Sequence, residues 1–204
     1  LNKNVKLSTN ISTGTPSTSS SEFVLYLDSS SNIKRSAVTD VCFLKGTKIT
    51  LSDRTQKNIE ELTLQDIVLT YNIFYLSNNT NKDSISKWSA NDIKGNYSTS
   101  KIRNLWINPT DSYLVINNKL KVTKKHLIFF KRKNKYYFNY SEKLFLNDEL
   151  FTDNNIYEKI TSIEEVKEKI NVYNFEIYKD FTYFAENYLV HHMCELCSGY
   201  SKIL

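Results

Sequence analysis

Short runs in which apolar and polar residues alternate dominate this chain, and a strand-rich fold is the first thing they predict. Phe23-Val24-Leu25-Tyr26-Leu27-Asp28 reads as one strand, followed by a Ser-rich turn through Asn32. Ser112–Ile116 and Lys119–Thr123 read as strands joined by Asn117-Asn118, a pair suited to a tight hairpin. Leu127-Ile128-Phe129-Phe130 and Tyr136-Tyr137-Phe138 flank the densest basic run, Lys131-Arg132-Lys133-Asn134-Lys135, which fits a solvated hairpin tip. Lys159–Lys169 has the charge spacing of a helix but is read here as strand, turn, strand. Val172–Ile177, Phe181–Ala185 and Tyr188–Val190 close the chain as strands. Residues 1–21 are Ser/Thr-rich and read as a disordered or extended linker, and residues 77–101 as a long polar surface loop.

One segment occurs twice. Asn58-Ile59-Glu60-Glu61-Leu62-Thr63-Leu64-Gln65-Asp66-Ile67-Val68-Leu69-Thr70 aligns without gaps to Tyr140-Ser141-Glu142-Lys143-Leu144-Phe145-Leu146-Asn147-Asp148-Glu149-Leu150-Phe151-Thr152. A glutamate, two leucines, the aspartate and the final threonine coincide. Each copy has an apolar-spaced piece, a two-residue polar turn and a strand. Two copies are too few for a solenoid, which needs at least three. They fit a duplicated β subdomain with a pseudo-twofold axis.

Composition narrows the class. The chain has 204 residues, enough for one domain with a full core or one domain plus a tail. Only 4 glycines and 2 prolines are present, and 13% of residues are aromatic, which agrees with an all-β fold. The net charge of +5 is spread along the chain, without the stacking aromatics or motifs of a nucleic-acid binder. No apolar run is long enough for a membrane span. Three cysteines cannot all pair, so a disulfide scaffold is excluded. The first residue is Leu, and the chain is expected to be a fragment of a longer product.

Reactive side chains are confined to three places. Cys42 opens Cys42-Phe43-Leu44-Lys45-Gly46-Thr47-Lys48-Ile49; His126 ends Thr123-Lys124-Lys125-His126; the remaining histidines and cysteines lie in His191-His192-Met193-Cys194-Glu195-Leu196-Cys197. A cysteine that follows a scissile amide can attack the preceding carbonyl and exchange the amide for a thioester. Resonance makes that exchange uphill. The site must therefore hold the peptide, stabilise an oxyanion and protonate the departing amine. Thr123 could hold the Val41 carbonyl or amide, and His126 could give the proton. Taken singly these signals are weak, because a lone buried cysteine is usually core filling.

In order and spacing they resemble a known family. Cys42-Phe43-x-x-Gly46-Thr47-x-Ile49 followed by Lys57-x-Ile59-Glu60-x-Leu62-x-x-x-Asp66-x-Val68 resembles the opening block of the Hint fold. That fold is shared by inteins, bacterial intein-like domains and the autoprocessing domain of Hedgehog proteins. Thr123-x-x-His126 resembles its second block and Leu144-x-x-x-Asp148 its next landmark. Val172–Ile177 and Tyr183–His191 resemble its closing blocks. The resemblance covers residues 42–192, so residues 1–41 are expected to be an upstream segment and 193–204 a short tail. It implies a horseshoe-like all-β fold, Cys42 as the nucleophile of an N-S acyl shift, and Thr123 and His126 as its assistants. His191 matches the penultimate histidine that helps a terminal asparagine to cyclise.

The departures bear on function. After His191 this chain has His192 and Met193, and histidine cannot form a succinimide. Reading His192-Met193-Cys194 as the final triplet restores a downstream thiol but no asparagine. Asn174 and Phe181 stand where inteins often carry an assisting aspartate and histidine. The expectation is self-cleavage before Cys42, between Val41 and Cys42, without efficient splicing. The precursor itself is the substrate, water or a small thiol the acceptor, and no cofactor, metal, nucleic acid or membrane is required; a monomer is expected. Cys194-x-x-Cys197 is left open between an unstructured tail, an acyl acceptor at Cys194 and a metal or redox pair. The rival reading is a degenerate Hint domain serving only as a structural or interaction module. Hedgehog-like lipid transfer is disfavoured by the shortness of the tail.

Overall fold

The structure is a computed structural model that describes the backbone of residues 23–27 and 33–37, then residues 41–74, 76 and 82–192, with backbone alone at 82 and 83. Contacts separate the chain into two units, one ending at Ala37 and one beginning at Val38. In the first, β1 (Phe23–Leu27) pairs antiparallel with β2 (Ile33–Ala37), Phe23 opposite Ala37 and Leu27 opposite Ile33. The strand read from Phe23–Asp28 thus has a partner that the sequence reading passed over, since Ile33-Lys34-Arg35-Ser36-Ala37 has no clear alternation. The expected linker 1–21 and the Ser-rich turn lie outside the described residues.

The second unit is almost wholly β. Its strands are β3 (Phe43–Leu44), β4 (Lys48–Thr50), β5 (Gln56–Asn58), β6 (Ile67–Ile73), β7 (Ser89–Ala90), β8 (Gly95–Ile116), β9 (Leu120–Val122) and β10 (Leu127–Arg132). Then come β11 (Lys135–Tyr140), β12 (Glu149–Phe151), β13 (Tyr157–Lys159), β14 (Ile163–Ile177), β15 (Thr182–Ala185) and β16 (Tyr188–His191). One helical turn, α1 (Lys82–Ile85), interrupts them. One sheet runs β13-β12-β10-β16-β15-β4-β5, with β11 on β10 and β7 on β11. The other runs β14-β3-β9-β8-β6, and β14 also pairs along β8.

β8 is 22 residues long, well beyond the usual strand. It pairs first with β6, Gly95 opposite Ile73 through Lys101 opposite Ile67, and then with β14, Ile102 opposite Ile177 through Ile116 opposite Ile163. The β14 register slips between Lys167 and Ile170, and Pro109 lies opposite Asn171 just beyond the slip, where a residue lacking an N–H disturbs the ladder least. This corrects the reading of 77–101 as a loop: Ser89–Ala90 and Gly95–Lys101 are strand. The segment is polar because one of its faces is solvated.

Turn chemistry follows the sequence. Asn117 and Asn118 have φ of 53° and 54°, and Lys133 and Asn134 have φ of 48° and 62°. Both pairs adopt the left-handed conformation of a two-residue hairpin, and asparagine tolerates it well. Lys133 and Asn134 are exposed, so the basic run is a solvated tip.

The repeat reappears in atomic detail. Each copy opens with a 3-10 turn, Ile59–Glu61 or Ser141–Lys143, entered from an extended residue, Asn58 (φ −64°, ψ 142°) or Tyr140 (φ −60°, ψ 143°). Each continues to a buried leucine, Leu62 or Leu144. Asp66 Oδ2 then accepts the Thr63 N–H at 2.6 Å, and Asp148 Oδ2 accepts the Phe145 N–H at 2.8 Å. Each aspartate also holds a cation: Lys57 for Asp66 at 2.9 Å and Arg132 for Asp148 through two bonds of 2.6 Å. The first N–H of each 3-10 turn is anchored on a loop that adjoins a candidate site residue, Cys42 or His126. Ile59 N–H donates to the Thr47 carbonyl at 2.9 Å, and Ser141 N–H to the His126 carbonyl at 2.8 Å. Duplication therefore sets the Cys42 loop and the His126 loop at corresponding places in the two halves.

Candidate active site

Cys42 immediately precedes β3, and Thr123 immediately follows β9. Because Phe43 pairs with Val122, the antiparallel register sets Cys42 opposite Thr123. Thr123 closes on it from three sides. Its Oγ1 accepts the Cys42 N–H at 2.7 Å and donates to the Cys42 carbonyl at 3.1 Å, and its own N–H donates to the same carbonyl at 3.0 Å. The nitrogen so held is that of the Val41-Cys42 peptide. Of the two options read from the sequence, the amide is the one Thr123 holds.

Val41 is 1% exposed and packs among Leu127, Phe129 and Leu189; Cys42 is 0% exposed and packs with Leu44, Tyr113 and Val172. Burial alone pushes a thiol toward its neutral form. Asn108 Nδ2 lies 3.7 Å from Cys42 Sγ, within donor reach of the larger sulfur atom. Asn108 was not singled out from the sequence. The one signal was a polar residue on the inward side of a β segment, between outward-facing Ile107 and the strand-disturbing Pro109.

His126 is fully buried at the end of the turn that Thr123 starts, and its N–H donates to the Thr123 carbonyl at 3.2 Å. Ser141 Oγ holds that carbonyl at 2.8 Å. The imidazole lies against the ring of Phe43, the residue after the cysteine, with centroids 4.2 Å apart. Tyr183 meets Phe43 edge-on at 6.3 Å and packs on Phe175 at 4.3 Å. Its hydroxyl is buried without a hydrogen-bond partner among the described residues. Burial first, and then negative charge on Cys42, drive the Tyr183 phenol well above its usual pKa.

The C-terminal histidines close the same region. Val190 pairs with Ile128, and continuing that register sets His192 across from His126. His191 packs edge-on against Phe138 at 5.5 Å. Phe181 lies nearly parallel to both C-terminal imidazoles, 6.4 Å from His191 and 5.7 Å from His192, and its carbonyl accepts the His192 N–H at 2.7 Å. Asp180 and Phe181 both have positive φ, 67° and 52°, a strained choice for phenylalanine. Thr70 Oγ1 steadies the turn through Asp180 Oδ2 at 2.9 Å. In this apolar pocket burial pushes His191 down to about 4; burial, His191 and Arg103 push His192 down to about 3. Both are neutral near pH 7.

Asn174 lies on β14 opposite Trp106, and its Oδ1 accepts the next residue's N–H, that of Phe175, at 2.9 Å. The structure thus brings Cys42, Thr123 and His126 together, with His191 and His192 at the adjoining strand end. Cys194 and Cys197 lie outside the described residues.

No protein-family model and no curated protein sequence matches the chain. Solved structures do. A bacterial intein-like domain from Clostridium thermocellum is similar at a TM-score of 0.56 and 19% identity, over 74% of this chain and 98% of that one. A DnaB intein from Synechocystis sp. PCC 6803 is similar at 0.53 and 13% identity, over 75% and 99%. The TvoVMA intein is similar at 0.54 and 12% identity, over 74% and 96%. At such identities the likeness speaks to the fold, and it agrees with the duplicated turns and the strand order described above: the chain carries the Hint fold of inteins and intein-like domains.

Proposed function

We propose that this domain cleaves its own chain between Val41 and Cys42. The observation that carries the reading is the grip of Thr123 on the Cys42 N–H at 2.7 Å, with His126 on the turn that Thr123 begins. Sγ of the Cys42 thiolate attacks the Val41 carbonyl carbon, and the carbonyl electrons move onto oxygen. When that intermediate collapses, the bond from carbon to the Cys42 nitrogen breaks and the nitrogen takes a proton from the His126 imidazolium. A thioester joins Val41 to Sγ, and the Cys42 amine is set free. Thr123 Oγ1 accepts from this nitrogen before and after the break, so its hydrogen bond persists along the path. Water, or a small thiol, then attacks the thioester carbonyl and releases the segment ending at Val41. Each molecule reacts once, on itself, with no cofactor and as a monomer.

Splicing would require a further step at the C-terminal end. There His192 and Met193 offer no side-chain amide to cut the chain, and the flanking histidines are packed neutral against Phe181. Released upstream segment, rather than a joined product, is the expected output.

One observation favours a second reading. Cys42 is fully buried in an apolar cluster, a position that suits core filling in an inert Hint domain that only joins segments. Incubating the purified chain with and without hydroxylamine, and weighing the products, separates the two. Self-cleavage gives a fragment ending at Val41 that hydroxylamine increases and Cys42→Ala abolishes. The inert reading gives an intact chain under both conditions.

A further inference from the structure

The reactive sulfur carries a contact that the acyl-shift reading does not use. Cys42 is fully buried in an apolar cluster with Leu44, Tyr113 and Val172. A thiol there loses the water that would stabilise its thiolate, so something in the protein must replace that water if the sulfur is to react. Asn108 is placed to do so. It lies on β8 opposite Val172 of β14, and Val172 in turn pairs with Leu44 of β3, two residues from the cysteine. Strand alternation turns Ile107 outward, 58% exposed, and Asn108 inward, 7% exposed, with Nδ2 3.7 Å from Sγ.

We propose that Asn108 is a catalytic residue of the acyl shift, its side-chain amide donating to Cys42 Sγ and holding that sulfur as the attacking thiolate. This rests on the reading of Cys42 as the nucleophile. An amide suits the task because it donates without titrating, so the donor persists at every pH at which the thiol ionises. Titratable groups near the sulfur include His126, whose ring packs on Phe43, Tyr183 within electrostatic reach, and Tyr113, whose hydroxyl bonds Glu168 at 3.1 Å. Tyr183 keeps its proton, but its hydroxyl makes no hydrogen bond among the described residues, whereas Asn108 Nδ2 is within donor reach of the sulfur. Fixing Sγ against the β8 face also limits its rotation, which favours approach to one carbonyl.

The test uses the full chain and two readouts. The first is the pH dependence of hydroxylamine-induced cleavage. The second is the pH dependence of Cys42 alkylation by iodoacetamide, mapped to its own peptide by mass spectrometry, which requires no cleavage. Asn108→Leu keeps the size and removes the donor; Asn108→Asp replaces the donor with a charge. The expected result is a midpoint raised by about one unit in Asn108→Leu and further in Asn108→Asp, by analogy with ordinary shifts of a hydrogen-bonded anion. Below the midpoint both rates should fall about tenfold, and they should converge on wild type at high pH. Folded variants with an unshifted alkylation midpoint would overturn the assignment, as would an equal loss of cleavage at all pH values. Should both variants fail to fold, the wild type decides: a Cys42 midpoint far above the ordinary value of about 8.5 contradicts the proposal, and one near or below it supports it. An Asn108-dependent midpoint in a chain that never cleaves would retain the thiol contact and refute self-cleavage instead.

Discussion

The Thr123 hydroxyl both accepts from and donates to the backbone of Cys42. Thr123→Val keeps the shape and removes both bonds. A buried donor left unsatisfied costs about 1–3 kcal/mol, so cleavage should slow by roughly 10- to 100-fold, whereas Thr123→Ser should retain most of it. Gel densitometry over a time course measures both. Among the histidines, the proposed acyl shift predicts that His126→Ala abolishes cleavage and His191→Ala only weakens it; equal losses would overturn that division of roles. The buried C-terminal histidines have a consequence for stability. His191 is held near 4, against an ordinary 6.5 in the unfolded chain. Acid therefore protonates the unfolded state first, and stability, full above about 6.5, is lost as pH falls from there toward 4. At about 1.4 kcal/mol per unit this is on the order of 3 kcal/mol. Melting curves should drop by several degrees across that window, and His191→Phe should flatten the drop. That Cys42, Thr123 and His126 share one neighbourhood was legible in the sequence because cysteine and histidine are scarce here and Thr123 stands three residues before His126. Asn108 and Tyr183 were not, since neither an asparagine in a strand nor a tyrosine in a Tyr-rich chain stands out until pairing sets it beside the thiol.

At the scale of elements, the 3-10 turns and their aspartates do the work of positioning. Asp148 is 2% exposed and binds Arg132 through two oxygens, whereas the Asp66 and Lys57 side chains are 15% and 29% exposed. Asp148→Ala removes the buried carboxylate that holds the partly exposed Arg132 guanidinium and the Phe145 N–H, a loss of about 3 kcal/mol. At about 2–4 °C per kcal/mol for a domain of this size, the melting temperature should fall by roughly 6–12 °C, and Asp66→Ala should cost clearly less. Because the Asp148 turn is tied to the His126 carbonyl, Asp148→Ala should also slow cleavage at temperatures where the protein remains folded. The repeat was legible as a gapless alignment, and so were the hairpins at Asn117-Asn118 and at the basic tip, because their turn residues are specific. The first seven residues of β8 were not. A strand solvated on one face and rich in Ser, Asn and Lys has the composition of a loop, and only its register with β6 distinguishes it. β2 escaped because Ile33-Lys34-Arg35-Ser36-Ala37 has no clear alternation.

For the whole molecule, the strand order brings both ends of the domain to one place: Cys42 leads into β3, and His191 ends β16 across from the His126 loop. No linear peptide joining residues 1–41 to the segment after His192 should form, and tandem mass spectrometry of the products checks this. His192→Asn should introduce C-terminal cleavage, since His191 already stands beside it; if nothing is gained, Phe181 over the two imidazoles is the next obstacle to remove. The central claim meets its most direct test in the mass of the purified chain after incubation with hydroxylamine, wild type beside Cys42→Ala. The account predicts a hydroxamate-bearing fragment ending at Val41 and a companion beginning at Cys42 in the wild type, with neither in the variant. A wild-type chain that stays whole, or a Cys42→Ala chain that breaks as readily, would contradict it.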